Sequence, residues 1–335
     1  MKATQDWVQA RVHALRDVTP TVREFTLAPS GGALPQEPGS HLQVQIDVGQ
    51  SAFMAGGPLH TRSYSLIGAP GGGASEEFYR IAVKRLDSGR GGSRAMWQLA
   101  VGDSLYISSP QNHFPLDLTA PAYCLVAAGV GVTPLLGMAQ LLAKRGAQVQ
   151  MAYAARSDDE LAYLAPLQQC LGGRLQTYVS EHGQRIDLHE LSRQVPPDSQ
   201  LYFCGPSSML TDARLAWGSA GRDMSDFRYE TFGSSGRFAP QAFRVMVPRH
   251  GLDIIVDQDT GLLDALELNG IQTLSDCRRG ECGLCAMDVL QLTGEIDHRD
   301  VFLSDEEKTA NHKICVCVSR VVGEITLETA YRPES

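Results

Sequence analysis

Five of the eight cysteines fall between residues 277 and 317, and three of them, Cys277, Cys282 and Cys285, are spaced C-x₄-C-x₂-C. Three thiols on so short a loop constrain the fold more than any apolar stretch, because the backbone must bend until the sulfurs share one side. Gly280 and Gly283 stand between them, where a residue without Cβ lets backbone N–H groups come close to sulfur. Completed by a fourth thiolate, this spacing suits a [2Fe–2S] cluster. Zinc is the weaker alternative, since zinc sites usually pair two C-x₂₋₄-C knuckles and here a single such pair follows a four-residue gap. Cys315 and Cys317 both qualify as fourth ligand, and two residues apart on a strand they face the same side. The N-terminus carries Asp6, Arg11, Arg16 and Asp17 and lacks the apolar core of a secretory signal. The expected compartment is therefore the cytoplasm, where clustered cysteines point to metal or redox chemistry rather than disulfides.

A chain of 335 residues has room for two or three domains. Residues 10–115 hold short β-rich stretches at 22–27, 42–48, 79–85 and 104–109, separated by Gly and Pro clusters, with a helix expected at 93–99. That texture predicts a small antiparallel barrel. From residue 123 to about 232 apolar strands (123–128, 148–154, 201–204) alternate with helical stretches (134–144, 159–171, 208–218), which predicts a parallel α/β sheet. Residues 118–143 carry no charge, but Pro121, Gly129, Gly131, Pro134 and Gly137 interrupt them. They fit a strand, a turn and a buried helix rather than a membrane span. A Gly/Ser-rich stretch then precedes a third unit, with strands expected at 243–247, 253–256 and 325–329 and a helix at 262–269. The expected domains are thus 1–117, 118–232, a linker at 233–242, and 243–335.

The net charge is −9, which argues against a nucleic-acid binder, and the acidity is local. Residues 1–239 hold 20 basic and 21 acidic side chains, whereas 240–335 hold 9 and 17.

Two further motifs carry chemistry. Arg62-Ser63-Tyr64-Ser65 follows a β-rich stretch, and a glycine run ending in Gly91, Gly92 and Ser93 opens the first helix, in outline a cradle for a phosphate. Gly129 and Gly131, followed by Thr133 and Pro134, form a G-x-G turn between a strand and a helix, where backbone N–H groups can receive a pyrophosphate. Close packing would also explain such glycines. Cys204-Gly205-Pro206 ends a later strand, where ligands of parallel sheets bind, although a buried cysteine can equally be a small core residue. Arg156 precedes Asp158, Asp159 and Glu160 where an adenosine ribose would lie; three acids after one arginine favour NADH over NADPH.

In this order the motifs resemble the phthalate dioxygenase reductase and vanillate demethylase reductase family over nearly the whole chain. The matching stretches are 62–66, 89–93, 110–116, 129–134, 204–209, 229–232 and 277–317. The resemblance implies an antiparallel flavin-binding β-barrel, a parallel α/β nucleotide-binding domain and a C-terminal β-grasp ferredoxin domain. It implies FMN as the flavin, with Arg62 at its phosphate, Tyr64 flanking the isoalloxazine, Ser65 near N5 and Phe232 beside the ring. An aromatic at a domain edge packs equally well as core. Cys204, Gly205, Pro206 and Met209 would approach the nicotinamide. In its last segment the chain resembles plant-type ferredoxins, and the offset from Cys317 to the final strand favours Cys317 over Cys315; Cys124 and Cys170 match no motif and are expected in the core. The implied enzyme is an NADH-dependent reductase passing electrons through FMN and [2Fe–2S] to a Rieske-type terminal oxygenase. The alternatives are a reductase of a small acceptor (a quinone, a metal chelate or oxygen) or, with less support, a redox sensor.

Overall fold

The computed structural model describes residues 7–46, 60–68, 77–86, 92–232, 236–239, 241–258 and 260–329. Its first module is built from β1 (Trp7–Thr19), β2 (Val22–Pro29), β3 (Ser40–Ile46), β4 (His60–Ser65), β5 (Tyr79–Lys84), α1 (Gly92–Gln98), β6 (Ser104–Ser108) and β7 (Gln111–Asn112). The strands run in the order β4-β3-β6-β1-β2-β5, and an antiparallel bridge between Leu66 and Ile81 joins the two ends into a barrel. Its interior is filled by Val12, Phe25, Leu27, Leu42, Val44 and Ile81, all essentially inaccessible. These residues alternate with polar neighbours, as strands with one buried face require.

The second module comprises β8 (Ala122–Ala128), α2 (Val132–Lys144), β9 (Gln148–Ala155), α3 (Leu164–Leu171), β10 (Leu175–Val179), α4 (Leu188–Gln194), β11 (Ser199–Cys204), α5 (Ser207–Ser219) and β12 (Phe227–Glu230). Its five strands are parallel in the order β10-β9-β8-β11-β12. The uncharged run at 118–143 is the buried strand β8 and the buried face of α2, and among the described residues no helix is long and apolar enough to cross a membrane. The helix expected at 159–171 is shorter. A 3₁₀ turn at Asp158–Glu160 ends the strand exit, Tyr163 takes a left-handed φ of 58°, and α3 starts only at Leu164. Pro166 is the physical reason: with no N–H it is tolerated in the first turn of a helix and not in the middle of a longer one. Tyr163 also pins the first two modules together, its hydroxyl donating to the buried Glu24 at 2.9 Å.

The third module holds β13 (Phe243–Val247), β14 (Leu252–Val256), α6 (Leu262–Leu268), β15 (Ala286–Asp297), α7 (Asp305–Ala310), β16 (Lys313–Cys315) and β17 (Arg320–Glu328). The sheet order is β14-β13-β17-β15-β16, with β13 and β17 parallel, and α6 packs its leucines into one core with Val245, Ile314 and Ile325. This is the expected β-grasp arrangement. The described part of the segment before it is not a free tether: the Arg237 N–H donates to Asp297 at 2.8 Å, and Phe238 offers its carbonyl to Arg299.

Candidate active site at the meeting of three modules

The G-x-G turn works through contact. A Cβ on Gly131 would lie 2.2 Å from the Cys204 carbonyl oxygen, so only glycine lets α2 begin this close to the end of β11. The Thr133 hydroxyl caps the turn by donating to the Val130 carbonyl at 2.9 Å, and the Tyr153 hydroxyl donates to the Gly129 carbonyl at 3.3 Å. Thr133 and Pro134 are therefore buried supports of the turn rather than part of its open face.

In front of the turn lies a groove of about 590 Å³. Seven of the residues singled out from the sequence meet there: Gly129, Gly131, Arg156, Gly205, Pro206, Met209 and Phe232. Cys204 stands behind it, fully buried; burial, reinforced by Glu230 and Glu281, pushes its thiol well up, so it stays protonated. The three acids after Arg156 turn elsewhere: Asp158 pairs with His182 at 3.2 Å, Asp159 bonds Ser157, and Glu160 holds Thr21 at 2.7 Å and Lys84 at 3.2 Å. None of the three lines the groove. Lys84 of the barrel and Arg299 of the third module do, and sequence reading missed both. Arg299 is far along the chain and carries no local signal beyond its charge.

Strand β4 faces the third module. Its partner strand β3 places His41 opposite Ser65 and Gln43 opposite Ser63. The Ser63 hydroxyl donates to the Cys277 carbonyl at 3.4 Å, and the Gln43 amide donates to the Asp276 carbonyl at 3.0 Å. Arg62 donates from Nη1 to Asp264 of α6 at 2.9 Å, while its buried Nη2 meets no partner. A Cβ on Gly92 would come within 3.0 Å of the Arg62 Nε, so the start of α1 lies directly over the guanidinium. A buried guanidinium with a spare donor beneath a glycine is chemistry that fits a flavin phosphate. Ser93 accepts the Leu86 N–H at 3.1 Å and so holds the segment, and Gly91 lies outside the described residues. Burial pushes the Tyr64 phenol up to about 12, which keeps it neutral.

The cysteine loop ends against this strand. Cys277 accepts the N–H groups of Arg279 and Glu281, both at 3.4 Å, and Gly280 at φ +78° passes so near Asp300 that a Cβ would lie 2.8 Å from its Cα. The five sulfurs form a pair and a trio: Cys282 bonds Cys277, and Cys285 bonds both Cys315 and Cys317. These bonds pull the Cys282 and Cys285 thiols down and push those of Cys277, Cys315 and Cys317 up, as expected of sulfurs sharing protons at hydrogen-bond distance. Such a grouping can offer two thiols to each of two irons, with Cys315 and Cys317 as the alternatives beside Cys285. Cys315 is inaccessible in β16, whereas Cys317 opens on a cavity of about 60 Å³ shared with Arg62, Phe232, Asp264, Arg278 and Arg279. Cys124 is core as expected, and Cys170 is half-buried.

A family model for the 2Fe-2S iron-sulfur cluster binding domain matches residues 248–322, and one for the oxidoreductase NAD-binding domain matches 125–215. The chain is 38% identical over 318 residues to the heme-dependent oxidative N-demethylase beta subunit of Ectopseudomonas mendocina (strain ymp), covering 94% of this chain and 96% of that one. It is 33% identical to the 3-chlorobenzoate-3,4-dioxygenase reductase subunit of Comamonas testosteroni, covering 96% of each. The solved phthalate dioxygenase reductase, described as a modular structure for electron transfer from pyridine nucleotides to [2Fe-2S], superposes with a TM-score of 0.79 at 28% identity over 96% of this chain and 98% of that one. This chain belongs to the phthalate dioxygenase reductase family. Like other members of that family it is an NAD-linked iron–sulfur oxidoreductase, its barrel implies a flavin, and it is an electron-transfer reductase of the kind that serves oxygenases. Full-length CYP116B46 from Tepidiphilus thermophilus contains the same three-module unit: the match covers 96% of this chain but only 42% of that one, with a TM-score of 0.64 and 30% identity.

Proposed function

We propose that this cytoplasmic reductase carries electrons from NADH through FMN and a [2Fe–2S] cluster to a Rieske-type terminal oxygenase, using modules bounded at about residues 117, 232 and 242. When bound, the flavin takes two electrons as hydride and the cluster accepts them singly, which reconciles donor and acceptor. In this reading Arg62, with Gly91, Gly92 and Ser93, holds the FMN phosphate, Tyr64 flanks the ring and Ser65 donates near N5. Gly129 and Gly131, set by Thr133 and Pro134, receive the pyrophosphate, and Arg156 faces the adenosine end. Cys204, Gly205, Pro206 and Met209 shape the nicotinamide end, and Phe232, which lines both cavities, would lie beside the flavin. Cys277, Cys282, Cys285 and Cys317 hold the cluster.

The observation that carries this reading is the small cavity at which Arg62 of the barrel, Phe232 of the second module and Cys317 of the third face one another. FMN rather than FAD follows the family members that place the cluster module last. The test is the flavin released from purified protein together with the spectra of two variants. Cys317→Ser should abolish the cluster signal and spare NADH-driven dye reduction, and Cys315→Ser should keep both. The reverse pattern would exchange the two cysteines, and colourless protein after anaerobic reconstitution would end the proposal.

A haem-containing oxygenase is the second reading for the electron acceptor. It is favoured by the 38% identity to the beta subunit named for heme-dependent N-demethylation and by the match to part of an intact type IV self-sufficient cytochrome P450 monooxygenase. Reduction of a Rieske oxygenase and of a haem oxygenase by the same preparation separates the two.

A further inference from the structure

Glu230 closes β12 with no exposed surface, and Arg279 of the cysteine loop is almost as buried, although 49 residues separate them. The Arg279 guanidinium donates to one oxygen of the Glu230 carboxylate, and the Ser65 hydroxyl donates to the other at 2.9 Å. Glu281 lies 3.3 Å from the second Arg279 amino group and accepts the Thr231 hydroxyl at 3.3 Å. One carboxylate is thus bracketed by a hydroxyl from the first module and a cation from the third. It also stands in register with Cys204 and directly before Thr231 and Phe232, which line the nucleotide groove. Arginine keeps its charge in proteins, and Glu230 on one side and Glu281 on the other are the groups within reach to balance it.

We propose that Arg279 is a positioning residue for the hydride-transfer site: from the cluster loop it holds the Glu230 carboxylate against Ser65, so the flavin and nicotinamide ends of the site are aligned only when the third module is docked. The inference rests on the assignment of Ser65 to the flavin made above. A buried carboxylate deprived of its cation must move, take up a proton or draw in water, and each of these releases Ser65.

The test is anaerobic stopped-flow reduction of the full-length holoprotein by NADH, with hydrogen exchange at residues 62–66 and 228–232 as a second readout and the cluster's paramagnetic resonance signal as a check of assembly. In Arg279→Gln the limiting rate of flavin reduction should fall by at least about tenfold, the scale of a misplaced reacting group, with little change in NADH affinity. Exchange in both segments should quicken. Arg279→Lys should recover part of the rate, and adding Arg279→Gln to Glu230→Gln should cost nothing more, because both act through one carboxylate. Arg244→Gln, which breaks a surface pair in the same module, serves as the control and should leave the rate unchanged.

A wild-type rate in Arg279→Gln beside a slow Glu230→Gln would remove Arg279 from the site and leave the Ser65 assignment standing. Wild-type rates in both would remove that assignment and the inference with it. Additive losses would also overturn the proposal. If Arg279→Gln fails to assemble its cluster, Arg279→Lys is read alone: a several-fold slower rate at unchanged NADH affinity supports the role, and a wild-type rate refutes it.

Discussion

His41 is a histidine that the fold keeps neutral. It is fully buried, neither ring nitrogen has a partner, and burial, then the charge of Arg279 and the nearby His113, hold its pKa down to about 3. The unfolded chain would bind a proton at about 6.5. Between those values the unfolded state takes up a proton that the folded state refuses, so the contribution to stability is whole above about 6.5 and is lost as the pH falls toward 3. His41→Leu should therefore flatten that part of the curve. The check is the unfolding free energy by urea at pH 7 and pH 4.5, where the gap between the two should narrow in the variant and would stay the same if His41 carried no such penalty. Among residues, those with local signatures were legible: the cysteine loop, the glycine turn and the Arg-x-Tyr-Ser strand all declare themselves within ten positions. Arg299 in the groove and the pairing of Arg279 with Glu230 did not, because what defines them is a neighbour on another module.

At the scale of elements, the start of α2 shows how little room the nucleotide turn has. Gly131→Ala would drive a methyl group into the Cys204 carbonyl, and forced overpacking of this kind costs about 1–3 kcal/mol. The expected outcome is a lower melting temperature and a raised KM for NADH, while the cluster spectrum stays unchanged; calorimetry and steady-state dye reduction measure the two. Strands with clean alternation or continuous apolar runs, such as β2, β5 and β8, could be read from the sequence almost to their ends. β15 could not, since a register shift between Val289 and Gln291 breaks its period of two and leaves Leu290 exposed among polar residues. The expected start of α3 lies too early for the same kind of reason: its apolar pattern continues upstream through residues that Tyr163 and Pro166 hold out of the helix.

For the whole molecule, the division into barrel, parallel sheet and a third unit followed from changes of texture along the chain and the β-grasp form of that unit from its resemblance to plant-type ferredoxins, whereas the way the three meet followed from neither. The excess of acidic over basic side chains after residue 239 bears on the electron acceptor. Complementary charge chiefly accelerates encounter and is screened by salt. Transfer to the oxygenase should accordingly slow as salt is raised from about 50 to about 500 mM, across which the Debye length drops to a few ångströms. NADH-driven dye reduction, which needs no docking, should hold. Equal sensitivity of the two rates would argue against electrostatic docking. The contacts between modules also govern how the protein can be recombined. Exchanging ferredoxin modules between relatives at the Gly/Ser stretch looks convenient, yet it would set a foreign side chain opposite Glu230 and another opposite Arg62, which here meets Asp264. A chimera that transplants positions 264, 279 and 281 together with their counterparts at 62 and 230 keeps each buried charge neutralised, so the natural unit of exchange is a scattered set of five side chains rather than a length of chain.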